Sequence, residues 1–136
     1  MPIEVLRPHE QVMPDKVDQL ERMTLRWKAY TKPILIDRKT GTILDGHHRT
    51  EVALRLELKC LPCVLVDYLD DDGIILAIWP KSGRESLEKS EVIEAALSGE
   101  LFPPKTSRHL LSDHLPPISV PLSRLAEAAT GDTEVN

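Results

Sequence analysis

The sequence predicts one domain of the α/β (α+β) class, in which a small mixed sheet is flanked by helices. The chain has 136 residues, a length that suits a single hydrophobic core. Short runs rich in Ile, Leu and Val, bounded by Gly, Pro and Asp, indicate strands. Longer segments with apolar residues at helical spacing lie between those runs. Strands that alternate with helices in this way predict the fold class.

The first helix is the clearest element of the N-terminal part. It is predicted to begin at Pro14, with Asp15 as its N-cap, and to end before Pro33. A short strand at 3–6 is predicted to precede it. The buried face of the helix is predicted from residues at helical spacing, which are Val17, Leu20, Thr24 and Trp27.

The other elements follow from the same signals. Strands are predicted at 34–36, 42–44, 61–67 and 74–79, and helices at 50–56 and 89–98, the last one stopped by Gly99. Prolines hold residues 103–109 and 116–121 extended, and a last turn is predicted at 122–126. The small, polar segment 127–136 predicts a disordered C-terminal tail, so the folded domain is predicted to span 1–126.

The junction between the strand at 42–44 and the next helix predicts a binding site. It consists of Asp45, Gly46, His47, His48 and Arg49. Glycine lets a ligand approach the backbone closely, and the first N–H groups of a helix lack intrahelical partners. The helix dipole adds partial positive charge, and Arg49 and the two histidines add donors. The junction therefore predicts a phosphate site, and the alternative is a structural turn capped by Asp45.

Two further polar clusters lie at residues 9–11 and 105–109. Phosphoryl transfer needs cations around the phosphate, a carboxylate that orients or deprotonates the acceptor hydroxyl, and usually Mg²⁺. Glu10 is the candidate base, and Asp45 is a candidate for orienting the reacting groups or a Mg²⁺ ion. For Glu10, Lys105 and Arg108 an ordinary solvated surface position is an equally weighted alternative. The cations are predicted to come from His47, His48, Arg49, Lys105, Arg108 and His109.

The two cysteines, Cys60 and Cys63, form a C-x-x-C pair. A zinc site would need two more ligands at matching spacing, and a redox pair is normally placed at a helix N-terminus. This pair begins a run that reads as a buried strand. Small apolar residues in a strand are therefore the favoured interpretation, with redox chemistry and metal binding as the alternatives.

The charge of the chain bears on its partners. Seventeen Lys and Arg against 22 Asp and Glu leave a formal charge of −5, with no basic run. Such a chain is expected to bind nucleic acid or an anionic membrane poorly. The sequence shows neither a basic leader nor a long apolar stretch, so a cytoplasmic location is predicted. The oligomeric state is not determined by the sequence.

Four motifs in the same order resemble the free L-serine kinases of the ParB/sulfiredoxin-like superfamily. They are Arg7-Pro8-His9-Glu10-Gln11, the junction from Asp45 to Arg49, the pair Trp79-Pro80, and the segment from Gly99 to His109. With the sequence around them they cover nearly the whole chain, from about residue 5 to residue 122. The resemblance implies a ParB/sulfiredoxin-like domain whose nucleotide phosphates lie on the turn at the helix start.

The resemblance also implies a reaction. A terminal phosphoryl group would pass from ADP or ATP to the hydroxyl of free L-serine, with Mg²⁺, and give O-phospho-L-serine. Glu10 would be the general base, and Asp45 would orient the reacting groups. The nucleotide and its phosphates would be bound by Gly46, His47, His48, Arg49, Lys105 and Thr106. The amino acid would be bound by Trp79, Ser107, Arg108 and His109. The archaeal kinases carry an insertion after the Trp-Pro pair that is absent here, so the donor stays open between ADP and ATP.

Other functions can be weighed from residues. A sulfiredoxin has a reactive Cys in the phosphate turn, where this chain has His47, so sulfinic-acid repair is not favoured. A ParB partition protein needs a helix-turn-helix domain and a basic surface, which the length and charge of this chain do not favour. A nuclease would need clustered carboxylates, but the run 70–72 is typical of a solvated turn. A non-catalytic nucleotide-binding regulatory domain remains as the alternative. Glu10 separates it from a kinase, because a sensor has no need of a carboxylate that repels the terminal phosphate.

Overall fold

The computed structural model describes residues 1–111, 115 and 117–127. Of the predicted tail at 127–136, all residues except Glu127 lie outside the described residues. The α-helices are α1 (Pro14–Trp27), α2 (His47–Arg55), α3 (Lys89–Ser98) and α4 (Leu122–Leu125), with 3-10 turns at Ile3–Val5 and Pro80–Ser82. The strands are β1 (Ala29–Tyr30), β2 (Ile34–Asp37), β3 (Ile43–Asp45), β4 (Cys63–Val66), β5 (Ile74–Ile78), β6 (Ser107–Leu111) and β7 (Val120–Pro121).

Strand β2 is the centre of a mixed three-stranded sheet in the order β3-β2-β4. It pairs antiparallel with β3 and parallel with β4. The described residues also form two smaller antiparallel pairs, β5 with β6 and β1 with β7. The predicted fold class, an α+β domain with small mixed sheet and helices, is confirmed.

The core lies on both faces of the central sheet because successive side chains of a strand point to opposite sides. Ile34 and Ile36 belong to one buried cluster, together with Ala53 of α2. Leu35 belongs to the other, with Tyr68 and with Val92 of α3. All four residues of β2 are buried, as expected for a central strand covered on both sides.

Several local predictions were wrong. The segment predicted as a strand at 3–6 forms a 3-10 turn, Ile3–Val5, and pairs through single bridges on either side of it. The N-cap of α1 is Met13 rather than Asp15, because Pro14 takes the first helical position, where its missing N–H costs nothing. Trp27 remains 48% exposed although it lies on the predicted buried stripe. Residues 107–111 are not merely extended, since they form strand β6 against β5.

Helix α2 begins at His47, three residues earlier than predicted. The difference matters because His47, His48 and Arg49 then form the first turn of a helix rather than a loop before it. Their backbone N–H groups belong to the set that has no intrahelical partner.

The two cysteines are buried and free, Cys63 in β4 and Cys60 beside Pro2. Burial raises the pKa of the Cys63 thiol to about 11, which disfavours the reactive thiolate. Each thiol lies near a backbone carbonyl. Cys60 Sγ is 3.4 Å from the Glu127 oxygen, and Cys63 Sγ is 3.5 Å from the Leu61 oxygen. No helix of the described residues is long and apolar enough to span a membrane.

The double substitution Cys60→Ser and Cys63→Ser is expected to leave activity within about twofold in reducing and oxidising buffers. Each serine hydroxyl finds the carbonyl acceptor that the thiol had, so the buried polar group is satisfied. The rate of the phosphoryl transfer that the sequence motifs predict, with and without a disulfide reductant, measures the effect. A folded double variant that has lost activity would restore the redox interpretation.

Candidate active site

The N-terminus of α2 is built around Gly46. This residue has a φ of 115°, which L-amino acids with side chains rarely adopt, and an added Cβ would lie 2.8 Å from Ile34 Cδ1. No side chain caps the helix there. Asp45 instead lies 3.5 Å from the Arg49 guanidinium with most of its side chain exposed. The alternative interpretation, a turn capped by Asp45, is therefore not what the structure shows.

Glu10 is fixed among groups of the late segment although about 95 residues separate them in sequence. Its Oε2 accepts the Lys105 backbone N–H at 3.2 Å. Its Oε1 lies 2.8 Å from the Ser107 backbone nitrogen, which donates to it, and 2.8 Å from Ser107 Oγ. Lys105 has a φ of 58°, the left-handed region, so backbone strain accompanies this arrangement. The segment 105–109 therefore folds back onto Glu10 and brings two of the polar clusters of the sequence together.

The two histidines of the turn hold the Glu10 segment in place. His47 Nε2 accepts the His9 backbone N–H at 3.1 Å, and His48 Nε2 accepts the Met13 backbone N–H at 3.0 Å. Both sides of Glu10 are thereby attached to the first turn of α2. Since each Nε2 is an acceptor, each neutral ring carries its proton on Nδ1.

The predicted cationic role of the histidines was wrong. Burial lowers the pKa of His47 well below its usual value, with His9 adding to the effect, and burial lowers the pKa of His109 to about 3. Burial also lowers the pKa of His48. The rings are neutral donors and acceptors at neutral pH, because burial penalises the charged form.

A buried cluster of rings, which the sequence did not predict, lies behind the turn. His9 is completely buried, with its ring centroid 4.5 Å from that of His47 and 5.8 Å from that of His109. His109 Nε2 lies 2.8 Å from the Tyr68 hydroxyl. The only sequence signal for His9 was its position next to Glu10 in the first motif.

The positive charge comes from lysines and arginines. Arg49 donates to the Pro33 carbonyl at 3.2 Å, and its buried Nε has no hydrogen-bond partner among the described residues. Lys105 Nζ lies 6.0 Å and Arg108 Cζ lies 5.0 Å from the centre of the Trp79 ring. Trp79 thus holds both cations by cation–π contacts at the edge of the site.

Lys16 of α1 is a site residue that sequence reasoning missed. It faces Lys105, whose ammonium group lowers the pKa of Lys16. Two exposed cations held together favour an anion between them. In the sequence, Lys16 is one of several polar residues of the first predicted helix, and no local pattern indicates that it lies in the site.

The cavity between these elements has a volume of about 420 Å³, within the usual range for small-molecule sites. Thr106 is not among its lining residues; it is buried, and its hydroxyl donates to the Pro103 carbonyl. All the other predicted site residues line the cavity: Glu10, Asp45, Gly46, His47, His48, Arg49, Trp79, Lys105, Ser107, Arg108 and His109. Four cations and two carboxylates meet there, in a chain whose overall charge is negative.

Metal binding by protein groups alone is not supported in the part of the chain that is described. No group of three or more His, Cys, Asp or Glu side chains is placed there to hold an ion. Mg²⁺, however, is commonly bound by one or two carboxylates together with substrate phosphates and water. The exposed carboxylate of Asp45, beside the phosphate turn, fits that mode.

Acid is expected to destabilise the fold because of the buried rings. The pKa of His9 is lowered to about 4, whereas an unfolded histidine titrates near 6.5. Below about pH 6.5 the unfolded chain binds more protons, so the free energy of unfolding falls as the pH falls towards 4. Urea midpoints at about pH 7.5 and 5.5 measure this before most carboxylates titrate. Equal midpoints would contradict it.

The chain is similar to several known proteins and solved structures, although no protein-family model matches it. The ADP-dependent L-serine kinase SerK of Thermococcus kodakarensis is 27% identical over 117 residues, which are 73% of this chain and 48% of that protein. A ParB-like protein of Sulfolobus acidocaldarius is 40% identical over 63 residues, 46% of this chain and 31% of that protein. The chain thus spans about half the length of the kinase.

Solved structures show the same fold. A mutant free serine kinase in complex with ADP superposes with a TM-score of 0.84 at 18% identity, covering 92% of both chains. SbnI of Staphylococcus aureus, truncated at its C-terminus, gives a TM-score of 0.75 at 14% identity over 100% of this chain and 92% of the other. The fold is that of the free serine kinase structures. The resemblance to ParB-like proteins and L-serine kinases, inferred from the motifs, is confirmed.

Proposed function

We propose that this protein is a small-molecule kinase that transfers a phosphoryl group from ADP or ATP to the hydroxyl of free L-serine, giving O-phospho-L-serine. One observation carries the proposal: Glu10 is fixed by two backbone N–H groups inside a cationic cavity at the start of a helix. The relatives and structural neighbours named as serine kinases support it.

Each part of the cavity has a task in this reaction. The open N-terminus of α2, with Gly46 and Arg49, binds the phosphates of the donor. Lys16 and Lys105 neutralise charge on the transferring group, where preorganised donors lower the barrier most. Glu10 accepts the proton of the acceptor hydroxyl. The acceptor is bound by Trp79, Arg108 and His109, and Ser107 positions Glu10 beside it.

Thr106 contributes by holding the turn that presents Lys105, through its bond to the Pro103 carbonyl. A Mg²⁺ ion would be held by Asp45 and by phosphate oxygens, and it would supply charge neutralisation of the phosphates when bound. The partners are then a nucleotide and a small amino acid, without nucleic acid or membrane. A cytoplasmic location belongs to the proposal.

The test is ³¹P NMR of the full chain with Mg²⁺, L-serine, and either ADP or ATP. A phosphoserine resonance that grows with time is expected with one donor at least. Glycine, which lacks the hydroxyl, is the matched control for the acceptor. Nucleotide binding by calorimetry without any phosphoserine would favour the non-catalytic regulatory domain, and the absence of both would remove the phosphate site.

Lys16→Met is expected to weaken nucleotide binding by up to about fivefold, because an exposed charge pair contributes about 0.2–1 kcal/mol. Methionine keeps most of the length of the side chain and its helix propensity. Calorimetry at low and high salt measures the effect, which should shrink as salt screens the charge. Lys59→Met, which removes an exposed lysine outside this cavity, is the control and should leave affinity unchanged.

A further inference from the structure

The Ser107 hydroxyl lies between two hydrogen-bond acceptors. Its oxygen is 2.8 Å from Glu10 Oε1 and also 2.8 Å from His9 Nε2. A serine hydroxyl has a single hydrogen, so it can donate to one of these neighbours at a time. The number of protons on the other two groups therefore decides whether both contacts are hydrogen bonds.

The proton of His9 is located by its second contact. Nδ1 lies 2.7 Å from the Ile43 carbonyl oxygen, which can only accept, so Nδ1 carries the hydrogen. Burial lowers the pKa of His9 to about 4, so the ring is neutral near pH 7 and Nε2 has a free lone pair. Glu10 Oε1 accepts the Ser107 backbone N–H in the same arrangement. One hydrogen is thus shared by two short contacts.

We propose that Glu10, Ser107 and His9 form a hydrogen-bonded relay in which one of the two short contacts lacks a hydrogen. The missing hydrogen arrives when Glu10 takes the proton of the acceptor hydroxyl. The inference deepens the proposed function, and its catalytic part rests on it. Glu10 is the catalytic residue, and Ser107 and His9 are positioning residues that act through it.

The proton balance of the step is closed. The O–H bond of the acceptor breaks and the Glu10 carboxylate takes the proton, while the acceptor oxygen bonds to phosphorus and the bond to the departing phosphate of the nucleotide breaks. The protonated Glu10 then donates a hydrogen bond from Oε1 to Ser107 Oγ, and the Ser107 hydroxyl turns to donate to His9 Nε2. No proton is transferred within the relay, since each hydrogen stays on its own oxygen. Both short contacts become hydrogen bonds, so proton uptake by Glu10 gains a second bond that the ionised state lacks.

The charged groups around the relay explain why it is needed. Rings of His47 from α2 and His109 from β6 face His9, and both are neutral because burial lowers their pKa. The cavity around Glu10 is lined by four cations and one other carboxylate, so the proton that Glu10 takes up enters a mostly positive surrounding. The relay gives the protonated carboxyl a hydrogen-bond acceptor there. The charged groups lining the cavity with Glu10 are Lys16, Asp45, Arg49, Lys105 and Arg108.

The experiment compares the wild type with Ser107→Ala, which removes the hydroxyl, and Ser107→Thr, which keeps it on a residue suited to a strand. Phosphoserine formation is followed across pH. In parallel, ¹⁵N resonances of the His9 ring are recorded with the ¹³C resonance of the Glu10 carboxyl. The NMR arm needs no turnover, so it tests the relay independently of the reaction.

The alanine variant is expected to lose about tenfold or more in kcat, a part of the 10²–10⁴-fold that a general base supplies, with nucleotide affinity unchanged. The acidic limb of its pH profile should lie at lower pH than in the wild type, because protonated Glu10 loses a hydrogen bond. The threonine variant should recover activity to within about threefold. In the wild type and the threonine variant, the His9 Nε2 resonance should shift together with that of the Glu10 carboxyl before His9 itself takes up a proton near pH 4, while Nδ1 keeps its proton. In the alanine variant, Nε2 should shift only with the proton uptake of His9 itself.

A response of Nε2 in a wild type that makes no phosphoserine would support the relay and reject the serine kinase. A phosphoserine-forming enzyme in which Ser107→Ala keeps more than half of kcat at every pH would overturn the relay and keep the kinase. A wild-type Nε2 resonance that moves only when His9 itself takes up a proton would also overturn the relay.

Discussion

Glu10→Gln is expected to abolish phosphoserine formation while the nucleotide still binds. A positioned general base contributes about 10²–10⁴-fold to the rate, and the amide cannot accept the proton. Initial rates by ³¹P NMR and calorimetric titration of the nucleotide measure the two halves of the prediction. A variant with more than about a third of wild-type activity would show that Glu10 is not the base.

The design of this variant has to allow for the bonds that Glu10 makes. Both oxygens accept backbone N–H groups, from Lys105 and Ser107, so the amide NH₂ of glutamine must face one of these donors. Glu10→Asp keeps both acceptors and the charge but withdraws them by one methylene, and it should lose activity with less disturbance. Glu94→Gln on the exposed face of α3 is the matched control, with thermal melts for all three.

Arg49→Ala is expected to weaken nucleotide binding about 10- to 150-fold, since hydrogen bonds to charged groups contribute about 1.5–3 kcal/mol. The guanidinium lies in the first turn of α2, and its Nε has no hydrogen-bond partner in the part of the chain that the structure describes. Serine affinity should change much less, because the arginine belongs to the donor side of the cavity. Calorimetry with each ligand separates the two effects, and an unchanged nucleotide affinity would remove the phosphate turn.

Two further variants make the Arg49 result specific. Arg55→Ala lies on the same helix, where the arginine pairs with Asp18 and Glu21 on the surface, so it controls for a general effect on α2. Arg49→Lys keeps the charge but loses the planar pair of donors, and it should recover only part of the affinity. Full recovery by lysine would mean that charge alone, and not bidentate geometry, binds the phosphate.

Local patterns predicted much of the fold. Strand β2, helix α3 with its stop at Gly99, and the strand-to-helix turn at Gly46 depend on periodicity, on glycine conformation and on helix ends, which act over a few residues. The N-terminal turn at Ile3–Val5 was mistaken for a strand because an apolar run is compatible with both. Its shape depends on contacts such as the bond from Ile3 N–H to the Lys59 carbonyl, far away in sequence.

For the site, the sequence by itself determined which residue types are available and predicted where phosphates would bind. A glycine between a strand and a helix is a local signal, and the order of motifs that resembles serine kinases is present in the sequence alone. Tertiary structure decided the charge and the proton positions. Burial makes His9, His47 and His109 neutral, α1 brings Lys16 to Lys105, and β6 places Ser107 between Glu10 and His9. Desolvation and contacts across about a hundred residues set these features, and neither is written in a local pattern.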